Sequence, residues 1–146
     1  MLKQEARTIT TGLRPGSAPR QIGRGVIINL GSCNSVMATP KLTPYTTAKH
    51  AILGLTRNAA LDNAKYGIRV VAVCPSWVDT PMIDRAKLGD AGLQARIEKT
   101  VPLGRIATQQ EVSDVIVFLS SYRASYITGT TYIIDGGATL STAVDV

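Results

Sequence analysis

The stretch that decides the fold is Ile68-Arg69-Val70-Val71-Ala72-Val73-Cys74, which is followed by Pro75. Apart from its arginine it is a continuous apolar run, and most of its apolar residues are β-branched. Such a run is typical of a strand that is buried on both faces, as the strands of a parallel sheet are. Proline lacks the N–H that a strand ladder needs, so we expect the strand to end at Pro75.

Two shorter stretches predict further strands on either side of this one. Val26-Ile27-Ile28-Asn29-Leu30 precedes it in the chain, and residues 130–134 follow it and lead into Asp135-Gly136-Gly137. The run at 26–30 is again mostly β-branched, so we expect this strand also to be buried on both faces.

Patterns with a helical period separate the predicted strands. The first predicted helix has Thr43 as its N-cap and Pro44 at its first helical position, and it ends near Tyr66-Gly67, where glycine can adopt positive φ. Its apolar spacing is carried by Ala48, Ala51, Ile52, Leu55 and Ala59. A capping box over residues 108–111 begins the second helix. The stripe that this helix should bury consists of Val112, Val115, Ile116 and Leu119. Residues 79–104 are polar and predicted to be partly helical.

The order strand, helix, strand, helix, strand predicts an α/β fold, with a doubly wound parallel sheet that helices cover on both faces. Ligands of such sheets bind beyond the carboxyl ends of the strands. Ser32, residues 75–80 and residues 135–137 follow the three predicted strands, and the first helix begins near the same edge. We therefore expect these segments to form the functional site.

Composition is that of one ordinary globular domain. The chain has 146 residues, of which 45% are hydrophobic and 18% charged, and no apolar run is long enough for a membrane helix. No apolar segment near Met1 resembles a secretory signal. Two cysteines, Cys33 and Cys74, are too few for a disulfide framework or a zinc site. We expect buried free thiols, no bound metal and a cytoplasmic location.

Residues 1–24 are predicted to form a flexible basic segment, separate from a domain at 25–146. They carry five basic residues against Glu5, so they hold +4 of the net charge of +6. Residues 1–9 could be the end of a helix, and the glycines and prolines of 10–24 indicate a loop. Because no aromatic residue interleaves the charges, a solvated segment is favoured over a nucleic-acid arm. The absence of a clean amphipathic pattern disfavours a mitochondrial transit peptide.

Tyr45 and Lys49 lie at i and i+4 in the first predicted helix and therefore share one face. A nearby ammonium favours a phenolate and lowers the pKa of tyrosine, which is otherwise about 10. Tyr45 could then exchange a proton with an alcohol or carbonyl oxygen near neutral pH. Ser32 could hold that oxygen with a second hydrogen bond. Taken alone, such a tyrosine is usually a packing residue and such a lysine a solvated one.

Together, these segments resemble the short-chain dehydrogenase/reductase family over about residues 25–140. Residues 25–32 resemble the family's strand that ends in its active-site serine, and residues 45–49 match its Tyr-x-x-x-Lys motif at the usual separation from that serine. Residues 68–82 resemble the next strand and the Pro-Gly motif after it, although Ser76 replaces the usual glycine, and residues 128–137 resemble the last strand. The resemblance implies a partial Rossmann-like fold, made of the family's last three strands with their helices.

The resemblance also implies an oxidoreductase that moves a hydride between NAD or NADP and a small-molecule alcohol or carbonyl. Tyr45 would be the catalytic acid/base, Ser32 would position the reacting oxygen, and Lys49 would also bind the nicotinamide ribose. Residues 80–104 would correspond to the family's variable substrate lid. The implied cofactor-binding residues are Tyr45, Lys49, Pro75, Ser76, Val78 through its backbone, and Thr80 through its hydroxyl.

The family's phosphate-binding half has no counterpart in this sequence. No Gly-rich turn follows an apolar strand here, and the position that would discriminate NAD from NADP is missing with it. The alternative hypothesis is therefore a truncated, inactive remnant, or a module that forms a homo-oligomer through the two predicted helices and the last strand. The strand at 26–30 would expose an unpaired apolar edge, which predicts low solubility for a lone monomer.

Overall fold

The computed structural model describes residues 1–10 and 14–140, and this part of the chain contains five strands and four α-helices. In chain order they are β1 (Arg7–Ile9), β2 (Arg20–Gly23), β3 (Gly25–Leu30), α1 (Thr43–Ala64), β4 (Ile68–Pro75), α2 (Pro81–Gly89), α3 (Leu93–Thr100), α4 (Gln109–Ser120) and β5 (Thr131–Ile134). The predicted strands and helices of the domain are all present. Across the described ranges, no helix combines the length and apolarity that a bilayer crossing requires.

Strands β3, β4 and β5 form one parallel sheet with β4 in the centre. On one side of β4, Gly25 pairs with Ile68 and the register runs on to Leu30 and Val73. On its other side β5 pairs in parallel with residues 72–75. Residues 70–74 are 0% exposed, because β4 has a strand on each side and a helix over each face. The predicted α/β fold with a buried central strand is confirmed.

The two long helices cover opposite faces of the sheet. On the α1 side, Leu53 forms a buried cluster with Ala72 and Cys74. On the α4 side, Leu119 lies in a larger cluster with Val71 and Val73. The stripe predicted for α4 is confirmed, because all four of its members belong to this cluster or pack against it: Val112, Val115, Ile116 and Leu119.

The apolar stripe predicted for α1 is wrong for three of its members. Ala48, Ala51 and Leu55 are exposed. The residues that α1 buries are instead Leu53, Thr56 and Ala60. Apolar residues lie on several sides of this helix, so their spacing alone does not tell which side the sheet covers.

The two ends of α1 differ in how well the sequence predicts them. Thr43 is the first helical residue and not the N-cap, a position that Leu42 takes without any side-chain hydrogen bond. Pro44 lies in the first turn, where no N–H is needed. At the other end, Gly67 has a φ of 67° and its N–H donates to Ala64 O at 2.9 Å. The predicted glycine stop is confirmed.

The N-terminal segment contains two short strands that its composition does not predict, at Arg7–Ile9 where a helix end was expected and at Arg20–Gly23 within the expected loop. Strands β1 and β2 pair antiparallel, with Thr8 opposite Gln21 and Ile9 opposite Arg20. The Arg24 N–H donates to Gly67 O at 2.6 Å, which joins this hairpin to the end of α1. Long-range pairing of this kind leaves little local signal, because strands of three or four residues show no clear alternation.

Strand β3 is an edge strand, since within the described residues it pairs with β4 alone. Its Ile27 and Leu30 are 39% and 57% exposed. The expectation that β3 is buried on both faces is therefore wrong, whereas the expectation of an unpaired apolar edge is confirmed. An edge of this kind is a template for pairing with another chain.

We expect the chain to self-associate as its concentration rises, and we expect Ile27→Lys to suppress this association. A lysine on an edge strand disfavours further pairing because its charge would have to be desolvated. Sedimentation velocity over a concentration series measures the effect. Leu88→Lys is the matched control, because Leu88 is 89% exposed but lies on α2, outside the sheet and outside the two long helices. Equal suppression by the two variants would contradict an edge-specific cause.

Candidate active site

Ser32 lies just beyond the carboxyl end of β3 and begins a short 3-10 turn over Cys33–Ser35. The Ser32 N–H donates to Ser35 Oγ at 3.2 Å, and the Asn34 N–H donates to Ser32 Oγ at 3.2 Å. This reciprocal capping holds the Ser32 side chain in one orientation. Because its oxygen accepts a backbone hydrogen bond, the Ser32 hydroxyl can donate its proton to a bound oxygen. Cys33 Sγ lies 3.8 Å from Ser32 Oγ.

Tyr45 and Lys49 form a pair in the first turns of α1. The Lys49 Nζ lies 5.7 Å from the centroid of the Tyr45 ring, within the range of a cation–π contact. The same Nζ donates to Leu30 O at 3.0 Å. Leu30 is the last residue of β3, so this hydrogen bond ties the pair to the strand end that precedes Gly31 and Ser32. Tyr45 itself is 45% exposed.

Asn34 also joins the Ser32 turn to α1, and the sequence analysis did not single it out. Its Nδ2 donates to Thr39 Oγ1 at 3.1 Å and to Thr46 Oγ1 at 3.2 Å. Asn34 is 5% exposed. Its position two residues after Ser32 was the one available signal, and it is weak because asparagine is common in loops.

The segment after β4 continues along the same edge of the sheet. The Ser76 N–H donates to Ile134 O at 3.0 Å, so the contact with β5 extends one residue beyond Pro75. Ser76 is not among the residues with positive φ. A serine is therefore tolerated where a glycine was expected.

Val78 forms a parallel bridge with Ala107. The Ala107 N–H donates to Trp77 O at 2.9 Å, and the Asp79 N–H donates to Ala107 O at 2.8 Å. In a parallel bridge of this kind, the N–H and C=O of the central residue point away from the partner. The backbone groups of Val78 are therefore directed to the side opposite Ala107.

Thr80 is the N-cap of α2, but its side chain makes no capping hydrogen bond. Its backbone is extended, with φ −149° and ψ 158°. The Thr80 hydroxyl is thus not used by the helix that it begins. With the backbone of Val78, it places polar groups at the carboxyl edge of the part of the chain that the structure describes.

The turn after β5 is stabilised by Asp135. This carboxylate accepts hydrogen bonds from the Gly137 N–H at 2.9 Å and from the Thr139 N–H at 2.7 Å. Burial alone would raise the pKa of Asp135, but the hydrogen bonds from Thr139 and Gly137 outweigh it and lower the pKa. Asp135 therefore has a structural role in this turn. A small cavity of about 80 Å³ lies beside it, between Ser76 and Gly136.

The two cysteines and the single histidine of the chain have ordinary surroundings. Cys74 is a fully buried free thiol, and Cys33 is a half-buried one whose pKa is raised chiefly by burial. His50 is exposed on α1, with Nδ1 3.0 Å from Thr46 O. Among the residues that the structure describes, no three His, Cys, Asp or Glu side chains are grouped as metal ligands.

The fold and this edge together define a doubly wound α/β protein whose polar site lies at the carboxyl ends of its parallel strands. The chain belongs to the short-chain dehydrogenase/reductase family. The family model described as enoyl-(acyl carrier protein) reductase matches residues 8–139. The short-chain dehydrogenase fogB of Aspergillus ruber is 52% identical over 97% of this chain and 50% of its own length. The short-chain dehydrogenase srdC of Neurospora crassa is 57% identical over 86% of this chain and 46% of its own length.

Solved structures of dehydrogenases also match most of this chain and about half of their own length. Aldohexose dehydrogenase of Thermoplasma acidophilum superposes with a TM-score of 0.76 at 35% identity, covering 83% of this chain and 50% of that one. Gluconate 5-dehydrogenase of Burkholderia cenocepacia, in complex with NADP and tartrate, superposes with a TM-score of 0.76 at 33% identity, covering 81% and 46%. This chain thus spans about half the length of the relatives that it matches.

Proposed function

We propose that this chain carries the catalytic part of an NAD(P)-dependent oxidoreductase that interconverts a small-molecule alcohol and carbonyl. The observation that carries the proposal is the hydrogen bond from Lys49 Nζ to Leu30 O at 3.0 Å. This bond holds the Tyr45–Lys49 pair at the end of the strand from which Ser32 extends. Membership of a family of dehydrogenases supports the reaction class.

In this proposal Tyr45 is the acid/base. Its phenol donates a proton to the carbonyl oxygen during reduction and takes it back during oxidation. The Lys49 Nζ lies 5.7 Å from the centroid of the Tyr45 ring, so its positive charge is next to the acid/base. Ser32 donates a hydrogen bond to the same substrate oxygen, which stabilises the negative charge that develops there.

The residues at the edge fit the nicotinamide end of the cofactor, which when bound supplies or accepts the hydride. An amide needs both a donor and an acceptor, and the outward N–H and C=O of Val78 provide them. The Thr80 hydroxyl provides a further partner that the α2 cap leaves unused. Pro75 and Ser76 shape the turn that leads to these groups, and Lys49 would bind the ribose. Either NAD or NADP suits this half of the site.

We propose roles in covering the substrate and in assembly for the surfaces beside the site. Helices α2 and α3 follow Thr80 directly and would form the lid over the substrate. Both α1 and α4 expose some apolar side chains on their outward faces: Leu55 is 57% exposed and Val117 is 67% exposed. We propose that these faces form a homo-oligomer.

The free thiols of Cys33 and Cys74 suit a reducing compartment such as the cytoplasm.

Isothermal titration of the chain with NADH and with NADPH tests the proposal. We expect binding of at least one of them with a Kd below about 1 mM, which corresponds to roughly −4 kcal/mol. Adenosine diphosphate ribose, which lacks the nicotinamide ring, is the matched control ligand and should bind more weakly. No heat with any of the three would favour the alternative, a catalytically inactive remnant.

A further inference from the structure

Asn34 contacts both of the segments that carry the proposed catalytic groups. Its backbone N–H donates to Ser32 Oγ at 3.2 Å. Its side-chain Nδ2 donates to Thr46 Oγ1 at 3.2 Å, and Thr46 directly follows Tyr45 in α1. One residue therefore orients the serine hydroxyl and also holds the first turn of the helix that bears the tyrosine.

The amide of Asn34 is fixed at both of its ends. Its Nδ2 has a second acceptor in Thr39 Oγ1 at 3.1 Å, and its Oδ1 lies 3.2 Å from the same hydroxyl and 3.5 Å from Cys33 Sγ. Asn34 is 5% exposed, so water does not compete well for these bonds. Buried polar groups that are fully paired in this way make a segment rigid.

We infer that Asn34 is a positioning residue, which sets the separation between the Ser32 hydroxyl and the Tyr45 phenol. The inference rests on the proposed function, in which both groups must reach one substrate oxygen. Lys49 also links α1 to β3, but it does so through a flexible four-carbon side chain. The shorter and buried amide of Asn34 constrains the separation more tightly.

Two variants remove the hydrogen bond from Asn34 Nδ2 to Thr46 Oγ1, and a third retains it. Asn34→Ala deletes the amide, and Thr46→Val deletes the acceptor while keeping the shape of the side chain. We expect each to lower kcat by about 10- to 100-fold, the effect of misplacing a reacting group by roughly 1 Å. KM should change by less than about threefold, because the lost positioning stabilises the transition state and not the bound substrate. Thr46→Ser keeps the hydroxyl and should keep kcat.

Asn29→Ala is the matched control. Asn29 Nδ2 donates to Thr56 Oγ1 at 3.0 Å, which is another asparagine–threonine bond to α1, about three turns beyond Tyr45. Its loss should lower stability while kcat stays the same. If Asn29→Ala and Asn34→Ala lower kcat equally, Asn34 is only structural and the inference is overturned.

A second readout does not depend on turnover. The ¹H–¹³C signals of the Tyr45 ring, assigned with Tyr45→Phe, should shift in Asn34→Ala and Thr46→Val and remain in place in Asn29→Ala. If the native chain reduces none of a panel of small ketones and aldehydes with NADH or NADPH, the proposed function fails. The ring signals then still decide the positioning role, since unchanged signals in Asn34→Ala would refute it.

Discussion

Tyr45→Phe should lower turnover sharply and weaken the binding of NADH or NADPH far less, because the other implied cofactor-binding residues are unchanged. Phenylalanine keeps an aromatic ring under the Lys49 ammonium, which lies 5.7 Å from the Tyr45 ring centroid. The substitution therefore removes only the hydroxyl that exchanges a proton with the substrate. General acid–base catalysis contributes about 10²- to 10⁴-fold, and we expect kcat to fall by an amount in that range. Initial rates with a ketone panel measure turnover, and calorimetry measures cofactor binding.

The same helix supplies a matched control for this substitution. Lys65 Nζ lies 5.0 Å from the centroid of the Tyr66 ring, so a second lysine–tyrosine pair lies at the other end of α1. Tyr66 is 43% exposed, close to the 45% of Tyr45. Tyr66→Phe should leave kcat unchanged, because that pair is far from Ser32. If Tyr45→Phe retains more than about a tenth of native kcat, Tyr45 is not the acid/base.

The sequence predicts the sheet and its helices well because these depend on local pattern. The apolar run at 68–74 is typical of a strand with neighbours on every side, and β4 is such a strand. The capping box that begins α4 is also local, and Thr108 and Glu111 form it as expected. Arg105 is the main reason that the pKa of Glu111 is lowered to about 2, and this partner lies only six residues away.

What the sequence does not predict depends on contacts between distant segments. The β1–β2 pairing joins residues that lie on either side of a stretch of sequence rich in glycine and proline, and neither strand has a clear period of its own. The face of α1 that is buried depends on where the sheet lies, since apolar residues occur on both sides of the helix. The spacing of apolar residues therefore predicts neither the β1–β2 pairing nor the buried face of α1.

In the candidate site too, the sequence predicts what depends on local spacing and does not predict what depends on contacts between distant segments. Ser32, Tyr45 and Lys49 were found because their spacing resembles that of a known family. The bond from Lys49 to Leu30 O spans 19 residues, and the bond from Asn34 to Thr46 spans 12. Both depend on how α1 packs against the end of β3. Neighbouring residues in the sequence give no sign of that packing.

Gly31 is a third feature that depends on a contact between distant segments, and its substitution is the second for which we expect a large effect. Gly31 joins the end of β3 to Ser32, and its N–H donates to Val73 O at 2.8 Å. A Cβ at this position would lie 2.4 Å from Cys74 Sγ and 2.9 Å from Ser35 Oγ. Cys74 is 0% exposed in the central strand, so it has little room to move. The requirement for glycine here comes from close approach of another strand, which the sequence does not reveal.

Gly31→Ala should therefore destabilise the fold by about 3 kcal/mol, the upper part of the range for overpacking a core. Urea unfolding followed by circular dichroism measures the loss. Adding Cys74→Ala removes the atom that a new Cβ would meet first, so the double variant should regain part of that stability in a double-mutant cycle. Gly54→Ala is the control of opposite sign, because a Cβ at that helical position meets nothing within 4 Å, and it should stabilise the chain by up to about 1 kcal/mol. Additive losses from Gly31→Ala and Cys74→Ala would mean that the two side chains do not compete for space. In that case the close approach of β4 would not be what requires a glycine before Ser32.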